Sequence, residues 1–140
     1  MAKSVEEEIA RILGPFADAE HKLLPALNAV QAAFGYLPPA TEQAAALAFN
    51  ISIADVTGVI SFYTDYRRTP PPDVVVEVCR AEACQAAGGR ALYAHASGEG
   101  DVTDIYCFGN CALAPAARVN GQLIGRATPA SLNAAIEAAS

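Results

Sequence analysis

Three consecutive prolines at residues 70–72 constrain the fold of this chain more than any other feature. Proline lacks a backbone N–H and fixes φ, so this segment neither continues a helix nor lies in a central strand. All four cysteines follow the prolines, whereas the residues before them show helical periodicity. We therefore predict an α/β chain of two domains, a helical bundle at residues 1–70 and a mixed domain at residues 71–140.

Composition and charge disfavour several classes of function. The 140 residues carry a formal net charge of −6, and their nine basic residues are scattered, so a nucleic-acid surface is not expected. Residues 1–16 do not have the pattern of a secretory signal, and no apolar run reaches the roughly 18 residues of a membrane span. These features predict a cytoplasmic protein without membrane insertion. The low charged fraction of 17% suggests that part of the surface is covered by a partner.

Residues 1–70 contain four helical patterns. Ser4 with Glu7 fits a capping box, Gly35 ends the second helix, the third begins at Pro39 or Thr41, and Ser52 caps the fourth. The apolar positions of these helices predict a bundle core. An alternative interpretation is an exposed apolar groove for a partner, which would use Phe62, Tyr63 and Tyr66.

Residues 71–140 alternate between element types. The β-branched run at 74–78 predicts a strand buried on both faces, and residues 101–107 predict a second strand. Between them, residues 84–96 are typical of one helix, weakened by its two glycines. Asn120-Gly121 predicts a hairpin turn, and Thr128 with Pro129 starts a terminal helix. This order of elements favours a small α/β sandwich of thioredoxin-like type.

The four cysteines fall where this topology would bring them together. Cys79 follows the first strand, Cys84 lies near the start of a helix, and Cys107 ends the second strand with Cys111 four residues later. Since two parallel strands joined by a helix can end at the same sheet edge, we expect the pairs to meet. Thiols in a reducing compartment indicate metal or redox chemistry more than disulfides.

The spacing of the thiols leaves several interpretations open. A [2Fe–2S] cluster takes four thiolates, two for each iron, and the wide C-x4-C and C-x3-C loops suit it better than a single ion. Gly109 would allow the backbone to approach closely, and Arg80 would add positive potential. Structural zinc, four unrelated buried thiols and two disulfides are the alternatives. A redox dithiol is disfavoured because the chain has no C-x-x-C.

Four segments together resemble a known family: LLPALNAVQAAFGYLPP, VTGVISFYTDYR, VCRAEACQAAGG and CFGNCALAPAARVNGQLIG. They are similar to the thioredoxin-like [2Fe–2S] ferredoxin subunits of NADH-oxidising complexes, of which the 24 kDa subunit of complex I is one. The resemblance covers nearly the whole chain. The stretch CRAEACQA most resembles the gamma subunit of NAD-dependent formate dehydrogenase.

The resemblance implies that Cys79 and Cys84 bind one iron of a [2Fe–2S] cluster and that Cys107 and Cys111 bind the other. It further implies an electron-transfer subunit that exchanges electrons with an FMN- and NAD-binding subunit, beside a larger iron–sulfur and molybdenum subunit. Equivalent subunits of NADH-quinone oxidoreductase or of a bidirectional NAD-linked hydrogenase are alternatives, and a structural zinc interaction module is an alternative of another class.

Two further observations limit the resemblance. The chain has no G-x-G-x-x-G, no P-loop and no recognisable nucleophile–base pair, so we expect no substrate site in it. The segment between Cys84 and Cys107 is shorter than in the relatives. This difference affects the expected sheet and partner contacts more than the cysteine pairs.

Overall fold

The computed structural model describes residues 4–140, and it forms two compact units, one ending at Pro71 and the other beginning at Pro72. Residues 1–3 of the first predicted domain lie outside the described residues. The first unit has four α-helices, joined by short 3₁₀ turns and loops: α1 (Val5–Leu13), α2 (Leu23–Phe34), α3 (Ala40–Phe49) and α4 (Ile53–Phe62).

Local chemistry sets the ends of these helices. The Ser4 hydroxyl accepts the N–H of Glu7, and Ser52 forms a full capping box with Asp55. Helix α2 ends at Gly35 and α3 ends at Asn50, both in the left-handed conformation that closes a helix C-terminus. The four helices predicted within residues 1–70 are thereby confirmed.

One apolar core holds the four helices together, as the periodicity predicts. Val56 and Ile60 of α4 are buried, and Val59 packs against the core from the side. Of the three aromatic residues considered as a partner groove, Phe62 and Tyr63 are exposed. Tyr66 is half-buried, and its hydroxyl lies 2.9 Å from Oδ1 of Asn28. The core is formed by Ile9, Leu13, Leu23, Ala26, Leu27, Val30, Leu37, Ala45, Ala46, Phe49, Val56 and Ile60.

Within residues 4–140, no single helix has the length and apolar character needed to cross a membrane. Helices α3 and α4 meet such a requirement only as a pair bent by 119°, and only by length and composition.

The second unit is a four-stranded mixed sheet with helices, so the expected α/β fold class is confirmed. Its elements are β1 (Val76–Cys79), α5 (Glu82–Ala86), α6 (Gly89–Glu99), β2 (Val102–Ile105), β3 (Ala117–Val119), β4 (Gln122–Ile124) and α7 (Pro129–Ala139). The strand order is β2-β1-β3-β4, with β1 parallel to β2 and antiparallel to β3. The predicted hairpin is β3–β4, with Asn120 and Gly121 at its turn.

The two faces of the sheet have different chemistry. Side chains alternate along a strand, so Val76 and Val78 share one face and Glu77 and Cys79 share the other. The valine face packs on α6 and α7 in a second apolar core: Val76, Val78, Leu92, Ala96, Ala117, Val119, Ala127 and Leu132. All four residues of β1 are buried, so the expectation of burial on both faces is confirmed.

Two predicted elements differ from the structure. The strand expected at 74–78 lies at 76–79. Just before it, the N–H of Val75 donates to the side chain of Asn120, and at its end the N–H of Cys79 donates to the carbonyl of Ala116. The single helix expected at 84–96 was wrong: two helices replace it. Gly88, with φ of 97°, turns the chain in the left-handed region between α5 and α6.

Candidate metal centre

The structure places all four cysteines of the sequence prediction at one edge of the sheet in the second unit. Cys79 is the last residue of β1 and pairs with Ile105, the last residue of the parallel strand β2. Cys107 follows two residues later, so the first residues of both cysteine pairs leave the sheet at the same edge. Cys84 lies in α5, and Cys111 begins a short 3₁₀ turn.

The thiols interact within each pair and between the pairs. Sγ of Cys107 lies 3.5 Å from Sγ of Cys111, and the thiols of Cys79 and Cys84 shift each other's pKa in opposite directions. Cys111 also interacts electrostatically with both Cys79 and Cys84. All four are free thiols; Cys79 and Cys84 are 2% exposed, whereas Cys107 and Cys111 are exposed. One pair is therefore protected by the fold and the other faces outward.

Backbone N–H groups converge on these sulfurs. The N–H groups of Ala81, Cys107 and Phe108 favour the thiolate form of Cys79 and lower its pKa. The N–H of Gly109 donates to Sγ of Cys107 over 3.2 Å. Cys107 has φ of 101° and Gly109 has φ of 74°, and this turn directs three successive N–H groups toward sulfur. Such a concave arrangement of N–H groups stabilises anions, including iron–sulfur centres.

The pKa values of the thiols diverge for physical reasons. Burial raises the pKa of Cys79, but hydrogen bonds from N–H groups and from the Cys84 thiol outweigh burial, and the pKa lies below 9.0. Burial raises the pKa of Cys84, with only partial opposition from the N–H of Ala116. The pKa of Cys111 is raised by its hydrogen bond to Cys107 and by its electrostatic interaction with the same residue. Cys79 is thus the most acidic of these three thiols, and metal binding requires thiolates.

A glycine makes room for the Cys84 segment. Gly89 is buried at the start of α6, and a Cβ at this position would lie 2.6 Å from the carbonyl oxygen of Cys84 and 3.4 Å from that of Cys79. Real Cβ atoms do not approach backbone this closely, so only glycine fits without a shift. Gly89 is the second of the two glycines that weaken the predicted helix. Its lack of a side chain allows the backbone at Cys84 to pack directly against it.

The charge of Arg80, expected to add positive potential, is balanced locally. Its guanidinium lies 2.9 Å from Oδ2 of Asp104 and stacks over the ring of Tyr93 at 4.4 Å. A hydrogen bond from the Tyr93 hydroxyl holds the pKa of Asp104 below its ordinary value, and Arg80 lowers it further. Asp104 therefore stays ionised and offsets the cation beside Cys79.

A second arginine near the thiols was missed by sequence reasoning. Arg118 of β3 lies opposite Glu77 of β1 and binds its carboxylate through two hydrogen bonds of 2.5 and 2.7 Å. The same guanidinium lies over the ring of Phe108 at 5.1 Å. Phe108 packs against the small buried cluster that Cys79, Cys84 and Ala116 form. The available signal was Glu77 itself, the one charged residue inside the apolar run VVVEV.

The donor set fits an iron–sulfur cluster. It consists of four thiols at one sheet edge, with N–H groups directed at sulfur and with balanced arginine charges nearby. Among residues 4–140, no three His, Cys, Asp or Glu side chains lie close enough together to hold a metal ion, so the thiols are arranged as two pairs. Two thiolates on one tetrahedral metal lie about 3.8 Å apart if the metal–sulfur bonds are about 2.3 Å. The 3.5 Å between Cys107 and Cys111 is close to that separation.

Fold and site together define an iron–sulfur protein built on a small mixed α/β sheet. Residues 7–140 match the family model of the thioredoxin-like [2Fe–2S] ferredoxins, and the chain belongs to that family. Its cofactor is accordingly a [2Fe–2S] cluster.

Curated relatives extend this result. The chain is 32% identical to the NADP-reducing hydrogenase subunit HndA of Solidesulfovibrio fructosivorans, over 87% of this chain and 79% of the relative. It is 33% identical to the E subunit of the NADH-quinone oxidoreductase of Mycobacterium tuberculosis, over 91% of this chain. The alignment spans 56% of that mycobacterial protein, so this chain matches little more than half of it. A Thermus thermophilus relative, NADH-quinone oxidoreductase subunit 2, is 28% identical over 71% of this chain.

Proposed function

We propose that this chain is an electron-transfer subunit whose [2Fe–2S] cluster is held by Cys79, Cys84, Cys107 and Cys111, and that it serves an NAD-linked oxidoreductase complex. The observation that carries the proposal is the meeting of two cysteine pairs at one sheet edge, with N–H groups directed at sulfur. Four thiolates are the complete ligand set of such a cluster. The family and the names of the relatives support the same role.

Each part of the site has a separate task in this proposal. When bound, the cluster accepts and returns one electron. Cys79 and Cys84 hold it from the buried side, and Cys107 and Cys111 hold it from the exposed side. The N–H groups of residues 107–109 offset negative charge on the sulfurs. No substrate is converted by this chain; it exchanges electrons with a flavin- and NAD-binding subunit.

The particular complex is a finer proposal. The stretch CRAEACQA at residues 79–86 favours the gamma subunit of a cytoplasmic NAD-dependent formate dehydrogenase, with a larger iron–sulfur and molybdenum subunit as second partner. The names of the curated relatives favour NADH-quinone oxidoreductase or an NADP-reducing hydrogenase instead. Purification of the chain from its native cells separates these alternatives. Formate-dependent NAD reduction with molybdenum in the purified complex supports the first, and quinone- or hydrogen-linked activity supports the others.

The cluster is tested on the purified full-length chain. We expect about two iron and two sulfide per chain, a red-brown colour, and an electron paramagnetic resonance signal on reduction. Colourless protein with one zinc per chain would support the structural zinc module and contradict the proposal.

The ligand assignment is tested by single substitutions. We expect Cys107→Ser to lose most of the visible absorbance, because serine removes one of the four thiolates. Ser97→Ala is the matched control, since Ser97 is exposed in α6 and should leave the spectrum unchanged. Full retention of the spectrum and resonance signal in Cys107→Ser would show that this residue is not a ligand.

A further inference from the structure

Glu77 is an unusual residue for its position. It lies in the middle of β1, is 6% exposed, and shares its sheet face with Cys79. A buried carboxylate is costly unless it is paired and hydrogen-bonded. Arg118 satisfies it from the neighbouring strand with two parallel N–H bonds, the strongest geometry available to such a pair. Replacement of such a pair by apolar residues often leaves stability unchanged or improves it, so stability alone does not explain the pair.

The pair reaches the candidate centre through one aromatic ring. Arg118 lies over Phe108 at 5.1 Å, and Phe108 stands between Cys107 and Gly109. Phe108 packs against the buried cluster formed by Cys79, Cys84 and Ala116, and the N–H groups of Cys107 and Phe108 favour the thiolate form of Cys79. A displacement of this ring would therefore shift two hydrogen-bond donors away from sulfur.

We propose that Glu77 and Arg118 are positioning residues that set the reduction potential of the cluster. Arg118 holds Phe108, and with it the N–H groups of residues 107 and 108, against Cys79; Glu77 fixes the orientation of Arg118 and balances its charge. This inference rests on the proposed function, because it needs a cluster at the four thiols.

The sign of each substitution follows from electrostatics. Reduction adds one negative charge, so a nearby cation or N–H donor favours the reduced cluster and raises its potential. Arg118→Gln removes the cation and loosens Phe108, and both changes lower the potential. Glu77→Gln keeps an oxygen that accepts a hydrogen bond from Arg118 but leaves the cation unbalanced, so it raises the potential. The double variant should lie between the two single variants.

Two further variants separate positioning from charge. Arg118→Lys keeps the charge but lacks the planar fork that binds Glu77 and stacks on Phe108. We expect its potential to fall, but by less than in Arg118→Gln. With Phe108→Leu as background, Arg118→Gln should shift the potential less than it does in the wild-type chain, because the ring that links Arg118 to the site is gone.

The experiment is a redox titration of the full chain carrying its [2Fe–2S] cluster, followed by electron paramagnetic resonance. Glu99→Gln is the charge-matched control: Glu99 is exposed and precedes β2, at the edge opposite the thiols. Opposite shifts for Glu77→Gln and Arg118→Gln, both larger than the Glu99→Gln shift, support the inference. Shifts of the same sign, or shifts no larger than the control, overturn it.

Loss of folding in one variant does not block the test. If Arg118→Gln fails to load the cluster, the inference is still supported by a lowered reduction potential in Arg118→Lys together with a raised one in Glu77→Gln. If these two shifts are not observed, the inference is overturned. If the wild-type chain shows no [2Fe–2S] signal, the proposed function fails as well. If the wild-type signal is present without opposite shifts, only the role of Glu77 and Arg118 is wrong.

Discussion

Gly89 is the residue at which a single methyl group should have the largest effect on the candidate centre. A Cβ there would lie 2.6 Å from the carbonyl oxygen of Cys84, which is backbone and cannot rotate away. We expect Gly89→Ala to displace α5, to reduce iron per chain, and to lower stability by about 1–3 kcal/mol, as overpacking usually does. Visible absorbance measures the loss of iron, and urea unfolding measures the loss of stability.

Gly98 provides the matched control in the same helix. It is exposed in α6, and a Cβ there would meet no atom within 4 Å. Gly98→Ala should leave cluster loading unchanged, because the added methyl group meets no neighbour. It should slightly raise stability, because alanine favours a helix over glycine by about 1 kcal/mol. Equal loading in Gly89→Ala and Gly98→Ala would contradict the close contact at Gly89.

Asp55 should make the first unit sensitive to acid. The Ser52 hydroxyl donates to Oδ2 of Asp55 over 2.6 Å and the Ser52 N–H donates over 3.2 Å, and these bonds hold the pKa of Asp55 below 3.8. The folded pKa is lower than the unfolded one, so this contribution is complete above about pH 3.8. It is lost as pH falls through the folded value.

An NMR titration of the Asp55 carboxyl group tests this prediction. In Ser52→Ala the carboxyl loses its hydroxyl donor, so its pKa should rise toward 3.8. The cap is also lost, which should cost about 1 kcal/mol of stability at neutral pH. Thr57→Ala in the same helix is a control that leaves the capping box intact. An unchanged Asp55 titration in Ser52→Ala would show that the box does not set this pKa.

Among the elements, the β3–β4 hairpin also fixes the start of β1. Asn120 sits at the turn with φ of 46°; its Oδ1 accepts the N–H of Val75 over 2.7 Å, and its Nδ2 donates to the carbonyl of Asp73. Asn120→Ala removes both bonds and places alanine in the left-handed region. We expect a loss of about 1–3 kcal/mol in urea unfolding, whereas exposed Gln122→Ala should stay within about 0.5 kcal/mol of the wild type. If Asn120→Ala lowered the free energy of unfolding by less than about 1 kcal/mol, the segment before β1 would be held by other contacts.

These elements show what the sequence could and could not predict. Helix ends at Ser4, Gly35, Ser52 and Thr128 follow local chemistry, so the pattern predicts them. The start of β1 depends on a side chain 45 residues away, which no local pattern reports. The division between α5 and α6 was visible only as a weak point at two glycines.

The candidate site divides in the same way. Cysteine spacing and strand order indicate where four thiols meet, because parallel strand ends share an edge. The N–H groups near Cys79 are positioned by a positive φ at Cys107. A cysteine in the sequence does not indicate this backbone conformation. The Glu77–Arg118 pair requires the register of β1 and β3, which periodicity leaves undetermined.

At the scale of the whole molecule, each compact unit has its own apolar core. All four cysteines, their N–H donors and the Glu77–Arg118 pair lie within the second unit. This distribution supports the prediction that residues 1–70 and 71–140 are separate domains. The cluster should then need nothing from the first unit.

Expression of residues 72–140 alone tests that independence. We expect this fragment to fold, to bind about two iron per chain, and to give the same electron paramagnetic resonance signal as the full chain, because it contains its own apolar core and all four proposed ligands. A fragment of 69 residues buries little surface, so its melting temperature should be modest and should rise when the cluster is bound. A matched fragment with Cys107→Ser should remain colourless. If the fragment stays unfolded even when iron and sulfide are added, the helical unit is required to form the centre. The boundary at the prolines would then not separate two independent domains.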